Sequence, residues 1–425
     1  MLPKALSSEK YYVRAAAVEA LGSMGPAAKE AVPALIDMLE IKEEDIRHKS
    51  MQALGNIGPD AKAVVPALLA AFKADIGTEA DAAAADLLLV PHAQDYYRAA
   101  EAISKIAPGS PEHQEILADL IKYLSSGNTR VQAAAAATLG NMGLSAKAAV
   151  PALIKAANSD DYDVEKYAVI ALGEMLPVAK EALPALITAV SKGDVFISGR
   201  AADALGELGA DAKEAVPALI DQVGGSQFGP RHSATRALGR IGSRAAAAVP
   251  ALTGGLNDKL LRTTAAEALC GIGPAAKDAV PVLIRMLKSP PPERDMTGRE
   301  LRTIKEPSDT SYAAAALGCI GPEAKAAVPA LIGALSYSDF YDRRNSAIAL
   351  GKIGPDAREA VPALIKALSD KSRPVRASAA EALGRIGPDA KAAIPALQTA
   401  LKDKEPVRSS AELALKSIDV ENTAK

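Results

Sequence analysis

A period of 33 residues runs along the chain and constrains its fold more than any other feature. A proline recurs in one apolar context, and six of the nine intervals between successive copies are 33 residues. The copies are Pro33, Pro66, Pro151, Pro184, Pro217, Pro250, Pro281, Pro329, Pro362 and Pro395. The 85-residue gap after Pro66 holds one further unit, in which Ala118 takes the place of the proline. Eleven such positions indicate an array of small repeated units rather than one large core.

The stretch Val375–Leu401 shows what one unit folds into. Apolar residues recur at helical spacing over its first half, at Val375, Ala379, Ala380, Leu383 and Ile386. Gly387-Pro388 then ends this first helix, because glycine can take the left-handed αL conformation and proline can open the next helical segment. A second apolar stripe around Pro395 predicts a second helix, which either kinks at the proline or holds it in its first turn. About thirty residues cannot bury their own apolar face, so each unit needs a copy on each side.

The repeated phrases resemble a known family. P-A-L-I-x-x-L, followed by a loop and V-R-x-x-A-A-x-A-L-G-x-I-G, is similar to the HEAT repeat, and especially to the short bacterial repeats grouped with the phycobilisome-lyase HEAT-like repeats. The resemblance implies an all-α fold, a right-handed α-solenoid (superhelix) of about 11–12 stacked helix pairs. It places the PALI helices on the convex side and the V-R helices on the concave side. We expect residues 1–425 to form one such array, with insertions at 74–94 and 288–309.

The family's ladder arginine marks one position in each first helix. It matches Arg14, Arg47, Arg231, Arg262, Arg343, Arg376 and Arg408. The same position holds Tyr96, Gln132, Glu165, Ser198 and Thr310 in the other units. The resemblance therefore implies an arginine ladder that is broken between the third and sixth units and again at the ninth.

Composition and charge limit the classes of partner and the cellular compartment that we expect for this chain. The chain has 49 basic and 51 acidic residues, a net charge of −2, whereas a generic nucleic-acid binder carries a basic excess, so we expect no nucleic-acid partner. No run reaches the ~18 apolar residues of a membrane span and no signal-peptide pattern opens the chain, so we expect no membrane insertion and a cytoplasmic location. The chain begins inside a unit, which is also consistent with a longer precursor carrying its own targeting segment.

Cys270 and Cys319 fall on stacked helices ~8–10 Å apart, so we do not expect them to pair.

Catalytic patterns are missing from the sequence. The histidines His48, His92, His113 and His232 are not followed by glutamate, unlike the His-Glu metal pairs of HEAT-type hydroxylases. The chain also lacks CxxC, HExxH, GxSxG, GxGxxG and P-loop patterns. We therefore predict a protein that is not an enzyme and that holds no cofactor and no metal.

Variable positions on the first helices are the candidate site. The residues one, two, five and nine after the ladder position point away from the packed stripe, and there the repeats differ. They supply His48, Lys49, Tyr97, Arg98, Lys166, Tyr167, Arg200, His232, Arg236, Arg240, Tyr312, Arg344 and Asn345. Tyrosine and arginine are enriched in binding hot spots. This predicts that a scaffold or adaptor binds another protein, an acidic extended peptide or a subunit of an assembly on the concave face.

Two other functions stay open at this stage. The first is a phycobilin-lyase-like protein that handles a tetrapyrrole, with Tyr167, Arg200 and Arg236 contributing to its groove. The second is a structural spacer within a larger assembly. The arginines of the candidate face can also pair with acids of adjacent units, among them Asp203, Glu207, Glu174 and Glu267, and leave a neutral surface. The first insertion is either an additional packing helix or a docking element for a partner, and Thr78 with Asp81 predicts a short helix in it. The second insertion is a proline-rich, charged loop that is either mobile or functional.

Overall fold

Paired α-helices build the chain. A computed structural model describes residues 5–76, 93–176, 180–192, 194–288 and 308–419, and these residues contain no β-strand. The first helices are α1 (Tyr11–Met24), α3 (Glu44–Ile57), α5 (Ala93–Ile106), α7 (Thr129–Met142), α9 (Tyr162–Glu174), α11 (Val195–Leu208), α13 (Phe228–Ile241), α15 (Arg262–Ile272), α17 (Asp309–Ile320), α19 (Phe340–Ile353), α21 (Arg373–Ile386) and α23 (Val407–Ile418). The second helices are α2 (Val32–Asp37), α4 (Val65–Ile76), α6 (Pro111–Tyr123), α8 (Val150–Ala156), α10 (Leu183–Ser191), α12 (Val216–Val223), α14 (Val249–Gly255), α16 (Val280–Leu287), α18 (Val328–Ala334), α20 (Val361–Ala367) and α22 (Ile394–Ala400). The predicted all-α solenoid of about a dozen pairs is confirmed.

A short 3-10 segment joins the two helices in most pairs. In the unit Val375–Leu401 it runs over Gly387–Ala393, and Pro395 is the second residue of α22. The proline therefore lies in the first helical turn, where its missing N–H has no partner to lose. Gly387 has φ 77° as expected, but its ψ of −141° lies outside the αL region that we predicted. Residues that carry a Cβ atom are strained at this combination of φ and ψ, so the turn depends on glycine.

Glycine and alanine let successive first helices approach closely. A methyl group added at Gly239 would lie 2.7 Å from the Cα atom of Ala268, and one at Gly351 would lie 2.8 Å from that of Ala382. The Leu-Gly pair of the repeat is therefore the point where neighbouring first helices meet. The apolar stripe predicted for α21 is fully buried, which confirms that small aliphatic side chains form the interior.

The chain divides into two compact units, one up to Ala204 and the other from Leu205. In the first, the contact glycine of one first helix packs against an alanine of the next, from Gly22 with Ala53 to Gly173 with Ala204. The second repeats this arrangement as far as Gly384 with Ala414. The single array over residues 1–425 stays a prediction. The helix predicted around Thr78 and Asp81 lies outside the described residues, as do positions 77–92 and 289–307.

Cys270 and Cys319 form a disulfide bridge with their Cα atoms 4.9 Å apart, so our expectation that they do not pair is wrong. Cys270 follows Leu269 at the place where other units carry the contact glycine. In several of those units a long basic side chain of the next first helix covers that glycine, as the Lys352 Cδ atom does 3.5 Å from a methyl group built on Gly318. Cys319 occupies this covering position. The closest contact of the repeat thus brings the two sulfurs together.

One segment passes a compositional test for a membrane span. Asp309–Ala334 covers 26 residues with a mean hydropathy of 1.3, and half of its most apolar window is buried in the protein. The segment consists of α17, its 3-10 link and α18, which together make one ordinary pair of the array. Because buried core helices pass the same test, this is weak evidence for a membrane location.

Candidate partner-binding face

The ladder residue fixes the rotation of each first helix. The Arg343 side chain is only 6% exposed, and its guanidinium donates to both carboxylate oxygens of Asp370 at 2.8 and 3.0 Å. It also donates to the carbonyl oxygens of Tyr337 and Ser338, both at 2.8 Å. Asp370 lies in the loop after α20, whereas the two carbonyls lie in the loop before α19, so this arginine joins consecutive loops. Equivalent ion pairs are made by Arg14, Arg231, Arg262 and Arg376.

At two positions that lack the ladder arginine, another side chain keeps contact with a loop. The Glu165 carboxylate lies 3.1 Å from the Lys192 ammonium, and these residues are 27 apart in the sequence, as are Arg343 and Asp370. Here the acid lies on the helix and the base in the loop, the reverse of the Arg343 pair, but the separation along the sequence is the same. Gln132 donates to the Ser126 carbonyl oxygen at 2.5 Å, which preserves the loop contact without a charge. At Glu165 and Gln132 the arginine is missing as expected, yet a side-chain contact between helix and loop persists.

The first predicted basic residues, His48 and Lys49, lie beside acids of their own helix. The His48 Nε2 atom lies 3.8 Å from Glu44, and the Lys49 ammonium lies 3.1 Å from Asp45. The Tyr11 hydroxyl donates to Asp45 at 2.6 Å, and this hydrogen bond is the main cause that lowers the pKa of Asp45. Asp45 in turn raises the pKa of Lys49 through its hydrogen bond. This end of the candidate face is therefore a polar network rather than a cationic patch.

The side chain of Tyr97 lies outside the described residues. Its neighbour Arg98 has its Nη1 atom 3.5 Å from Glu101, one turn along α5. Glu101 also accepts a hydrogen bond from Lys105 at 2.7 Å. The predicted site on α5 therefore contributes a cation that shares one carboxylate with a second cation.

Lys166, Tyr167 and Arg200 lie on the neighbouring helices α9 and α11 of the first compact unit. The Lys166 ammonium lies 4.4 Å from the centre of the Tyr167 ring and 5.1 Å from that of Tyr162, and it pairs with Asp163. Burial opposes the charge on Lys166, but the hydrogen bond to Asp163 and the two tyrosines hold its pKa above the ordinary value. The Lys166 ammonium therefore stays charged, and the cluster combines aromatic and basic groups.

In the second compact unit, His232, Arg236 and Arg240 follow one another along α13. The His232 ring lies 5.6 Å from that of Phe228, and Arg236 is exposed to solvent. The Arg240 Nη1 atom lies 3.8 Å from Glu207. The predicted residues of α13 therefore form one continuous row on the helix surface.

The three remaining predicted residues, Tyr312, Arg344 and Asn345, differ in how accessible their side chains are to a partner. Asn345 donates to the hydroxyl and the carbonyl oxygen of Ser311, at 2.8 and 3.2 Å, so it joins α19 to α17. Tyr312 is half-buried, whereas Arg344 is exposed. Of these three residues, Arg344 is therefore the best placed to meet a partner.

The ion pairs that neutralise this face are loose. Arg200 is 3.9 Å from Glu174 and Arg240 is 3.8 Å from Glu207, and all four side chains are about half exposed or more. Exposed pairs of this kind contribute ~0–1 kcal/mol each. Carboxylates of a partner can therefore replace Glu174 and Glu207 at little cost.

Exposed aromatic residues at the starts of the first helices escaped the sequence search. Tyr162, Phe196 and Phe228 expose 47–48% of their surface, and Phe340 is half-buried beside Tyr341. They lie two or three residues before the ladder position, outside the positions that we searched. A basic residue follows each one four residues later. These aromatic–basic pairs are Tyr162/Lys166, Phe196/Arg200, Phe228/His232 and Phe340/Arg344.

Comparison with known families identifies the repeats. The family described as HEAT repeats matches residues 1–89, 87–172, 150–230 and 328–416. The family described as PBS lyase HEAT-like repeat matches residues 230–258. Together the HEAT matches cover more than half of the chain, in agreement with the resemblance seen in the repeated phrases. A search of curated proteins finds no match.

Solved structures share the fold. The structure of the Kap95:Nup1 complex aligns with a TM-score of 0.64 at 13% identity, over 98% of this chain and 61% of the other. A crystal structure of importin beta in an ammonium sulfate condition aligns with a TM-score of 0.53 at 18% identity, over 98% of this chain and 55% of the other. The chain thus spans little more than half the length of these solenoids, and identities this low establish the fold alone.

Proposed function

We propose that this chain, a member of the HEAT-repeat family, is a scaffold that binds another protein through the aromatic–basic pairs of its first helices. The pairs lie on the helices that the family resemblance assigns to the concave side. HEAT solenoids present long, regular surfaces built from neighbouring units, which suits an extended partner.

The exposed aromatic residues carry this proposal. The chain has four phenylalanines and no tryptophan, and Phe72 is 1% exposed whereas Phe196 and Phe228 are nearly half exposed. Exposing large aromatic groups is unfavourable in water, and aromatic residues dominate the energetics of interfaces. Within the first compact unit, Tyr162 and Phe196 lie at the starts of the neighbouring first helices α9 and α11, which supports a surface that a partner covers.

The basic residue one turn later indicates the chemistry of the partner. Residues four apart lie on one side of a helix, so the pairs that end in Lys166, Arg200 and Arg344 each offer an apolar contact beside a cation. A segment with carboxylates next to apolar side chains satisfies both groups. Neighbouring helix layers are ~10 Å apart and an extended chain rises ~3.3 Å per residue, so one apolar residue about every third position matches the spacing. We propose an acidic, extended segment of another protein as the ligand.

Binding of labelled peptides by fluorescence anisotropy tests this function. The probes are an acidic peptide with a leucine or phenylalanine at every third position, the same peptide with lysines replacing its acids, and a scrambled peptide. We expect the first to bind best, and more weakly as salt rises, because exposed charges are screened. The quadruple variant Tyr162→Ala, Lys166→Ala, Phe196→Ala, Arg200→Ala should lose most of this affinity.

A matched control separates this face from the rest of the surface. Lys155 and Lys366 are exposed on the second helices, and replacing both with alanine should leave peptide affinity unchanged. Circular dichroism must show that the quadruple variant keeps its helical content. Equal affinity of wild type and quadruple variant would reject the face, and failure of every peptide to bind would favour a spacer role.

A further inference from the structure

The Cys270–Cys319 bridge joins helices α15 and α17 at a contact that the array also makes without a covalent bond. At three other contacts of the second compact unit, a methylene group of a long basic side chain lies over the contact glycine. Arg240 covers Gly206 in this way, and Lys352 covers Gly318. Because those helices stay packed without a bridge, α15 and α17 do not depend on the bridge to remain stacked. Opening the disulfide is therefore compatible with the folded array.

The two sulfurs differ in their electrostatic surroundings. The Lys352 ammonium lies 3.9 Å from the Cys319 Sγ atom, and Lys352 belongs to α19, the next first helix along. A neighbouring cation stabilises a thiolate and lowers the pKa of the thiol. In thiol–disulfide exchange, the sulfur with the lower thiol pKa is the better leaving group. Cys319 is therefore favoured as the leaving sulfur, and Cys270 as the sulfur that is attacked.

Both cysteines remain partly accessible, as each is half-buried rather than enclosed. A small thiolate can reach such a bridge more easily than a protein-sized reductant can. This favours glutathione and similar low-molecular-weight thiols as the reacting class.

We propose that the Cys270–Cys319 bridge is a thiol-exchange site for low-molecular-weight thiols. The incoming thiolate forms a new S–S bond with Cys270, and the old bond breaks with its electron pair leaving on Cys319 as a thiolate. A second thiolate then attacks the mixed disulfide, which releases Cys270 as a thiolate and the oxidised low-molecular-weight disulfide. The protein bridge gains two electrons in total, and the two external thiols supply them.

Mass spectrometry after a timed exchange tests the direction of attack. The oxidised full-length protein is incubated with reduced glutathione, quenched with iodoacetamide and digested. We expect glutathione mainly on Cys270 and the alkyl group mainly on Cys319. Replacing Lys352 with methionine should slow the exchange by roughly threefold to tenfold and reduce this asymmetry, because the thiolate loses its counter-charge.

Arg385→Met is the matched control, since Arg385 holds the same repeat position one unit later, over Gly351. This variant should exchange at the wild-type rate. Glutathione distributed equally over the two cysteines, or a Lys352→Met rate equal to that of wild type, would overturn the proposal. Two freely alkylated thiols in protein purified without reductant would overturn it as well. These readouts do not involve peptide binding, so they are independent of the proposed scaffold function.

Discussion

Replacing Arg343 with methionine should be among the most damaging substitutions on the ladder. The change removes the four hydrogen bonds that the guanidinium donates to Asp370 and to the carbonyl oxygens of Tyr337 and Ser338. The Asp370 side chain is only 13% exposed, so its carboxylate is left almost buried without its hydrogen-bonded ion-pair partner. Breaking a buried pair on one side costs about 3–5 kcal/mol. Some water still reaches Asp370, so we expect a loss of about 3 kcal/mol in unfolding free energy.

Urea unfolding followed by circular dichroism, together with hydrogen exchange of α19 and α20, measures this loss. Exchange is needed because repeat arrays can open in sections rather than in one step. Arg262→Met is the matched control, since Arg262 also pairs with an acid, Asp309, at 2.6 Å, but their side chains are 30% and 43% exposed. An exposed pair contributes about 1 kcal/mol or less. Equal losses in the two variants would refute the argument from burial.

The loss caused by Arg343→Met should also depend on pH. Burial opposes ionisation of Asp370, but hydrogen bonds from Arg343 and from the Ser372 N–H outweigh it and hold the pKa of Asp370 below its ordinary value. A lowered carboxyl pKa adds stability that is fully present above the unfolded pKa of about 4 and is lost as the pH falls through the folded pKa. The difference between wild type and variant should therefore shrink below about pH 4. A difference that stays constant in acid would mean that the carboxylate charge is not responsible.

Two further predictions concern contacts between units. Glu165→Lys should destabilise the array by about 1–3 kcal/mol because it places two cations together, and adding Lys192→Glu should restore most of the loss, as measured by thermal unfolding. Gly239→Ala should cost about 1–3 kcal/mol because its methyl group would lie 2.7 Å from the Ala268 Cα atom. Gly173→Ala should be nearly neutral, since the nearest atom to its added methyl group is the Ala204 Cβ atom at 3.3 Å and alanine favours a helix. Equal destabilisation by the two alanine variants would refute the packing argument.

The sequence predicts the stacked helix pairs well because one apolar stripe is repeated many times. Interactions that each occur once are harder to foresee. The exchanged pair of Glu165 and Lys192 keeps the ladder register but not its residue types, so a search for arginine passes over it. The bridge between Cys270 and Cys319 spans 49 residues of sequence because an insertion separates the two helices. Aligning the units position by position brings the two cysteines together, since one replaces the contact glycine and the other covers it.

Packing alone does not account for the aromatic–basic pairs. Close glycine–alanine contacts leave little room for a ring between successive first helices, which explains why aromatic residues avoid those contacts. The same contacts do not require an aromatic residue at the start of a helix, because α3 carries Glu44 and Asp45 there. Phe196→Gln should therefore change the unfolding free energy by less than about 0.5 kcal/mol. If Phe196 contacts the partner, the same substitution weakens binding of the acidic peptide. A large loss of stability with unchanged peptide binding would instead mean that Phe196 stabilises the folded array.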